Sequence, residues 1–254
     1  MTIDVENRVT QDHTDLAELW TDFVDWTGRL EKEGPFLLQH LHRRHDIFDA
    51  CLGDGVDSVY LLQHGFSVVS NERDLAFQKK AIENGIKCGV HLHIVAYDWR
   101  NLHQYHPKCQ FDAILCLGNS LTYLFNAKER ESVIKNFLNL LKPGGMLIVD
   151  ARNYSYILKN KEQIMQGTAP VTHQKTVYCG KNVIARPVII ENSLVVMQYH
   201  HKETNLGGYL SFYPFKEGEL PALLQRHFTS VKTYSDFQEG DDVNAGFFQY
   251  VCVK

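Results

Sequence analysis

The sequence predicts an α/β domain with a mostly parallel sheet and helices on both faces, carrying a small antiparallel β cap. Three observations point to it. Strand-like and helix-like runs alternate between residues 46 and 150, and a glycine turn, Gly53-Asp54-Gly55, follows the first strand-like run. After Arg152 the pattern changes to β-branched and aromatic runs separated by polar turns. Strand and helix in alternation need crossover connections and therefore parallel pairing, whereas short β runs with tight polar turns favour hairpins. The chain has 254 residues, 44% of them hydrophobic, enough for one large domain with an ample core.

Ahead of the sheet, apolar residues recur at helical spacing, first Leu16, Leu19, Trp20, Phe23 and Val24, then Phe36, Leu37, Leu38 and Leu41. Two helices follow from this, with interruptions expected near Gly28 and Gly34-Pro35. The alternating region predicts strands at 46–51, 66–71, 91–97, 111–117 and 145–150, and helices at 56–64, 74–84 and 128–141. Runs at 175–177, 183–190, 193–199 and 208–213 predict the meander, and a helix at 217–227 precedes strands at 230–235 and 246–253. The expected organisation is N-terminal helices over the site (1–45), a cofactor-binding core (46–152), an antiparallel cap (153–215), and a C-terminal helix and strands completing the core sheet (216–254).

The net charge of −4 offers no general attraction to polyanions, so nucleic acid is not an expected partner. No segment reads as a secretion signal or a membrane span, which makes a cytoplasmic protein the expectation. The six cysteines contain no C-x-x-C pair and read as reduced core thiols. His40, His42 and His45 read as a solvated helix end, and His91/His93 and His200/His201 supply too few ligands to specify a metal site. No metal is expected.

The glycine turn sits where an α/β cofactor site forms, at the carboxyl end of the first strand. Gly53 and Gly55 admit a ligand close to the backbone. Glu72 follows at the tip of the second strand, placed to accept both hydroxyls of a ribose. Asp98 and Trp99 follow the third strand, where an acceptor and a ring would meet an adenine. Together these define an adenosine site. The dinucleotide pattern G-x-G-x-x-G has serine, Ser58, in its third glycine position, and Asp54 and Asp57 lie near the turn. A buried pyrophosphate is disfavoured there, whereas S-adenosylmethionine, cationic and free of phosphate, tolerates the acids. At the neighbouring tips, Asn119 and Arg152 face the same crevice, and Arg152 can grip a carboxylate with two parallel hydrogen bonds.

The stretches Asp49–Ser58, Gly65–Val68, Asp98-Trp99, Phe111–Ser120, Leu141–Gly145 and Arg152–Tyr154, with later matches at Leu210–Pro214 and Ser235–Phe237, resemble class I methyltransferases of the glycine N-methyltransferase type. The resemblance implies a Rossmann-like, seven-stranded methyltransferase sheet with an antiparallel cap over the substrate. It implies cofactor contacts from Arg29, Cys51, Gly53, Gly55, Glu72, Asp98, Trp99 and the backbone near Leu117. It also implies that Arg152 and Asn119 hold a substrate carboxylate, that the hydroxyls of Tyr178 and Tyr199 face the sulfonium and the amine, and that Tyr213 borders the substrate. Self-association is a further expectation, with no assembly specified. Departures are Asp54 and Leu52 in the turn, and Phe212 and Phe23 where the family carries pocket tyrosines. The implied activity is N-methylation of glycine, sarcosine or a related amino acid. Methylation of another small amine or of a hydroxyl, and a non-catalytic cofactor-binding protein, stay open beside it.

Overall fold

The computed structural model describes residues 13–106, 108–172 and 180–254. Helices α1 (His13–Phe23) and α2 (Trp26–Leu41) lead into β1 (Asp46–Asp49), α3 (Val56–Gln63), β2 (Ser67–Asn71), α4 (Leu75–Lys87) and β3 (His93–Val95). Then come β4 (Phe111–Cys116), α5 (Ala127–Leu140), β5 (Leu141–Arg152), α6 (Tyr154–Lys159) and α7 (Lys161–Met165). The cap is β6 (Val183–Glu191), β7 (Leu194–His201) and β8 (Gly207–Phe212), and the chain closes with α8 (Glu219–Gln225), β9 (Ser230–Ser235), β10 (Gln238–Glu239) and β11 (Phe247–Val253).

The main sheet runs in the order β10-β9-β11-β5-β4-β1-β2-β3. Strands β3, β2, β1, β4 and β5 pair in parallel, and β11 lies antiparallel between β5 and β9. The expected seven strands are present, and the two-residue β10 adds an eighth at the edge.

Successive residues of a strand point to opposite faces, and the core divides accordingly. Phe48, Ile114, Leu147 and Val149 meet α5 and α8 through Val133, Phe137, Leu220 and Leu224 on one face. Ile47, Leu115 and Ile148 meet α2 and α3 through Phe36, Leu37, Leu41 and Leu61 on the other. Each fully buried side chain of this kind contributes roughly 1.5–3 kcal/mol. A third cluster joins α1 (Leu19, Phe23) and α6 (Tyr154, Ile157) to the inner face of the cap (Val183, Val195, Met197, Tyr199, Phe212). The cap is therefore mortared to the N-terminal helix as well as to the core.

The expected interruption at Gly34-Pro35 does not occur, because α2 runs through both residues. Gly34 is required for packing: a Cβ there would lie 2.7 Å from the Tyr60 hydroxyl of α3. Pro35 is exposed, so the carbonyl it leaves unbonded can turn to solvent. The break falls instead at residues 24–25, where Asp25 caps α2 by accepting from Gly28 N–H at 3.2 Å. Helices α6 and α7 were not expected; α6 starts where the Asn153 side chain accepts from Tyr156 N–H. The run at 175–177 lies outside the described residues. Cys109 is exposed rather than a core thiol, while Cys116 and Cys252 are buried.

Candidate active site

The first strand ends in a turn whose two glycines both have positive φ, +55° at Gly53 and +100° at Gly55. They do different work. A Cβ on Gly55 would meet Ala81 at 3.3 Å, so this glycine lets α3 pack on α4. A Cβ on Gly53 would meet nothing within 4 Å, so the turn faces open space there and a ligand can approach its backbone.

Glu72 reaches back to this turn. One carboxylate oxygen accepts from Gly53 N–H at 3.0 Å and the other from Asp74 N–H at 2.9 Å. Arg73 N–H is a third backbone donor to this carboxylate, which leaves it one acceptor position for a ribose hydroxyl. Burial pushes this carboxyl upward from its ordinary pKa. Trp99 donates its indole N–H to the Ala50 carbonyl at 2.8 Å and packs edge-on to Phe137, which fixes its ring beside the end of β1.

Asp98 is engaged within the protein. Its two oxygens accept from Arg100 N–H, Arg100 Nε, Arg100 Nη2 and Arg73 Nη1, which fills the four acceptor positions of a carboxylate. The Arg100 guanidinium, ahead of other causes, holds this acid down at about 2. An adenine amino group would have to displace one of these arginine contacts, Arg73 at 3.2 Å being the longest. The Leu117 carbonyl accepts from the Cys51 thiol at 3.2 Å and the Ser120 hydroxyl at 2.8 Å, using both lone pairs, which leaves its N–H as the backbone group for a ligand. Cys51 thus tethers the tip of β1 to the tip of β4, and its thiol pKa lies well above the ordinary value because of neighbouring Cys116 and burial.

Arg29 is likewise engaged within the protein. Its guanidinium is buried between Glu33, on the next turn of α2, and Asp57, which it meets at 2.6 Å. The arginine expected to hold a ligand carboxylate is instead bracketed by two protein carboxylates. One oxygen of Asp57 has no hydrogen-bond partner among the described residues. Asp54, the unusual residue of the turn, is buried and accepts from Trp26 Nε1 at 2.7 Å. Burial raises the acids Asp49, Asp54 and Asp57 above their ordinary values.

At the substrate end, Asp150 of β5 accepts from the consecutive N–H groups of Gly118 (3.1 Å) and Asn119 (2.6 Å). This holds Asn119 in the left-handed region at φ +66°, a conformation that asparagine tolerates better than most residues. Asn119 Oδ1 accepts from Arg152 N–H at 3.0 Å and its Nδ2 donates to the Tyr154 hydroxyl at 2.8 Å. Burial pushes Asp150 up to about 7 and the Tyr154 phenol up to about 12. The Arg152 guanidinium lies 4.9 Å from the Phe247 ring centroid and forms no ion pair among the described residues. Neither Asp150 nor Tyr154 was expected at the site, although Tyr154 stood in the motif Arg152–Tyr154 and Asp150 two residues before Arg152.

Tyr199 is buried against Trp20 (5.3 Å) and Phe23 (5.1 Å), on the wall shared by α1 and the cap. Tyr178 lies outside the described residues. The Tyr213 hydroxyl donates to Glu219 at 2.8 Å and its ring lies under the Arg130 guanidinium, so it fastens α8 to α5. Among the described residues no group of three or more His, Cys, Asp or Glu could hold a metal, and no helix is long and apolar enough to cross a membrane. Tyr123, missed from the sequence, stands in the 3-10 turn directly after Asn119.

The sheet order, the glycine cradle, the ribose acid and the apolar-walled crevice define a class I methyltransferase dependent on S-adenosylmethionine. The residues fit that cofactor: space over Gly53, an open acceptor position on Glu72, the Trp99 ring, and buried acids suited to a cation. A methyltransferase domain family model matches residues 47–145. The glycine/sarcosine N-methyltransferase of Halorhodospira halochloris is 35% identical over 254 aligned residues, covering 98% of this chain and 91% of the relative. The glycine/sarcosine N-methyltransferase of Aphanothece halophytica is 32% identical over 227 residues, with 88% and 82% covered. A solved S-adenosylmethionine-dependent methyltransferase from Clostridium acetobutylicum ATCC 824 shares the fold, with a TM-score of 0.67 over 99% of both chains at 16% identity. The chain belongs to the glycine/sarcosine N-methyltransferase family.

Proposed function

We propose that this enzyme N-methylates glycine and sarcosine. The observation that carries the reading is Arg152: a guanidinium at the tip of β5, beside Tyr154 and without an ion-pair partner among the described residues, suits a substrate carboxylate. Asn119 supports it by fixing the Arg152 backbone through its own side chain, so the fork is held at a defined place. Relatives that carry the name glycine/sarcosine N-methyltransferase over nearly the whole chain support the same substrate class. The net charge of −4 offers no general attraction to nucleic acid, in keeping with a small-molecule partner.

S-adenosylmethionine supplies an electrophilic methyl group on a cationic sulfur, so a neutral amine can displace it with little new charge. The protein's task is then placement and exclusion of water, more than strong acid-base catalysis. Trp20, Phe23, Tyr199 and Phe212 form the apolar wall for this, and low polarity there favours the neutral, nucleophilic amine. The Tyr154 phenol, raised to about 12, keeps its proton and serves to hold Asn119.

The test is methyl transfer from radiolabelled S-adenosylmethionine to a panel of glycine, sarcosine, dimethylglycine and small amines lacking a carboxylate. Transfer to glycine and sarcosine, with KM raised about tenfold or more in Arg152→Lys, is expected, because lysine lacks the planar fork. Turnover only of carboxylate-free amines would replace the reading by a specialised small-molecule methyltransferase, and no turnover by a cofactor-binding protein.

A further inference from the structure

Tyr123 closes the 3-10 turn Ser120–Tyr123 that begins at Asn119. The turn is fixed from both sides. Asp150 holds the Asn119 N–H at 2.6 Å, and the Thr122 carbonyl accepts from Tyr213 N–H at 2.7 Å, which stitches the turn to the segment leaving the cap. The Tyr123 ring rests on Phe212 of β8, with centroids 5.3 Å apart and planes 33° apart. Phe212 is buried, yet Tyr123 is 44% exposed, and its hydroxyl has no hydrogen-bond partner among the described residues. Tyr199, Tyr154, Glu72 and Cys51 lie within electrostatic reach of its oxygen. They lie at the cap, at the carboxylate clamp and at the cofactor turn, so the phenol stands between the substrate and cofactor ends of the crevice.

The pocket wall on either side of it is short of hydroxyls. Phe212 and Phe23 are both phenylalanine and both belong to the apolar cluster. An attacking amine directs its lone pair at the methyl carbon, and its N–H groups then need acceptors elsewhere. The phenylalanine rings provide none, which leaves Tyr199 as the other phenol of this wall, and a desolvated N–H left unpaired is unfavourable.

We propose that the Tyr123 hydroxyl accepts a hydrogen bond from the substrate amine and orients its lone pair, in place of the hydroxyls absent from Phe212 and Phe23. The inference rests on the methyltransferase reading above and deepens it: the acceptor class selected is a primary or secondary amine, which has an N–H to offer. A role limited to packing on Phe212 would survive loss of the oxygen.

The experiment compares wild type with Tyr123→Phe, which keeps the ring. The readouts are thermal midpoint, calorimetric affinity for S-adenosylmethionine, and kcat and KM for glycine and sarcosine. Expected is a fall in kcat/KM of about three- to tenfold, the worth of one hydrogen bond between uncharged groups, with midpoint and cofactor affinity unchanged. Adding Phe212→Tyr to Tyr123→Phe returns a phenol to the same wall, and recovery of part of the loss supports the assignment. Wild-type kcat/KM in Tyr123→Phe overturns it, as does a loss matched by an equal loss of cofactor affinity. A wild type inactive on every amine with an N–H defeats the function itself, a separate and recognisable result.

Discussion

The indole N–H of Trp26 donates to the carboxylate of Asp54 across 2.7 Å, joining the first turn of α2 to the cofactor turn. The same Asp54 receives Asn84 Nδ2 of α4 at its carbonyl, at 3.0 Å. A small hydroxyl residue in place of Asp54 could not reach the indole in the same way. The acid that looked out of place in a ligand turn is thus the peg on which the N-terminal helix hangs.

Asp54→Ser should therefore loosen α2 without disturbing the sheet. A hydrogen bond to a charged acceptor contributes about 1.5–3 kcal/mol, and its loss is expected as a lower urea midpoint together with faster proteolysis near residues 24–25. Unchanged proteolysis would show that α2 is held by its apolar face alone.

Replacing Arg29 is expected to act first on stability. Arg29→Met leaves Glu33 and Asp57 buried without their cation, and breaking a buried pair by removing one partner costs about 3–5 kcal/mol. The urea midpoint measures it, and Glu33→Gln with Asp57→Asn in the same chain should recover part of the loss. A variant with native stability but weakened cofactor binding would return Arg29 to the ligand.

Stability should also fall as pH rises through the range from about 4 to about 7. Burial raises Asp150 to about 7, and Asp49, Asp54 and Asp57 move the same way. An unfolded aspartate titrates near 3.9, so inside this window the folded chain holds more protons and unfolding releases them. The stabilising contribution is complete below the unfolded value and gone above the folded one. Urea midpoints at pH 5.5 and 7.5 check this; Asp150→Asn, although weaker at every pH through loss of one acceptor, should show the shallower decline.

Glu72→Ala removes the ribose acceptor and also the partner of Gly53 N–H. The cofactor dissociation constant is expected to rise at least tenfold by calorimetry, since hydrogen bonds to a charged group are worth about 1.5–3 kcal/mol each. Glu72→Gln, which keeps one oxygen, should fall between. Wild-type affinity in both variants would remove Glu72 from the site.

Much of the scaffold was legible because its signals are local. Alternating strands and helices, two glycines after Asp49–Cys51 and an acid at the end of β2 are patterns within about 25 residues, and all lie where expected. The errors came from partners far along the chain. Gly34 was read as a helix breaker because nothing nearby announces that Tyr60 packs against it. Cys51 gives no local sign that its thiol donates to the Leu117 carbonyl, 66 residues on. Tyr213 gave no local hint of Arg130, and Asn119 none of its partners Asp150, Arg152 and Tyr154, 31 to 35 positions on.

By itself, then, the sequence determined the parallel sheet, the glycine turn after β1 and the acid at the end of β2, because hydrophobic period and glycine conformation are properties of short stretches. Only the tertiary structure decided which polar groups remain for ligands. A carboxylate, carbonyl or guanidinium has few hydrogen-bonding positions. Asp98 and the Leu117 carbonyl fill theirs with partners inside the protein, and Arg29 is bracketed by two of its carboxylates, whereas Glu72, Arg152 and Tyr123 keep capacity facing the crevice.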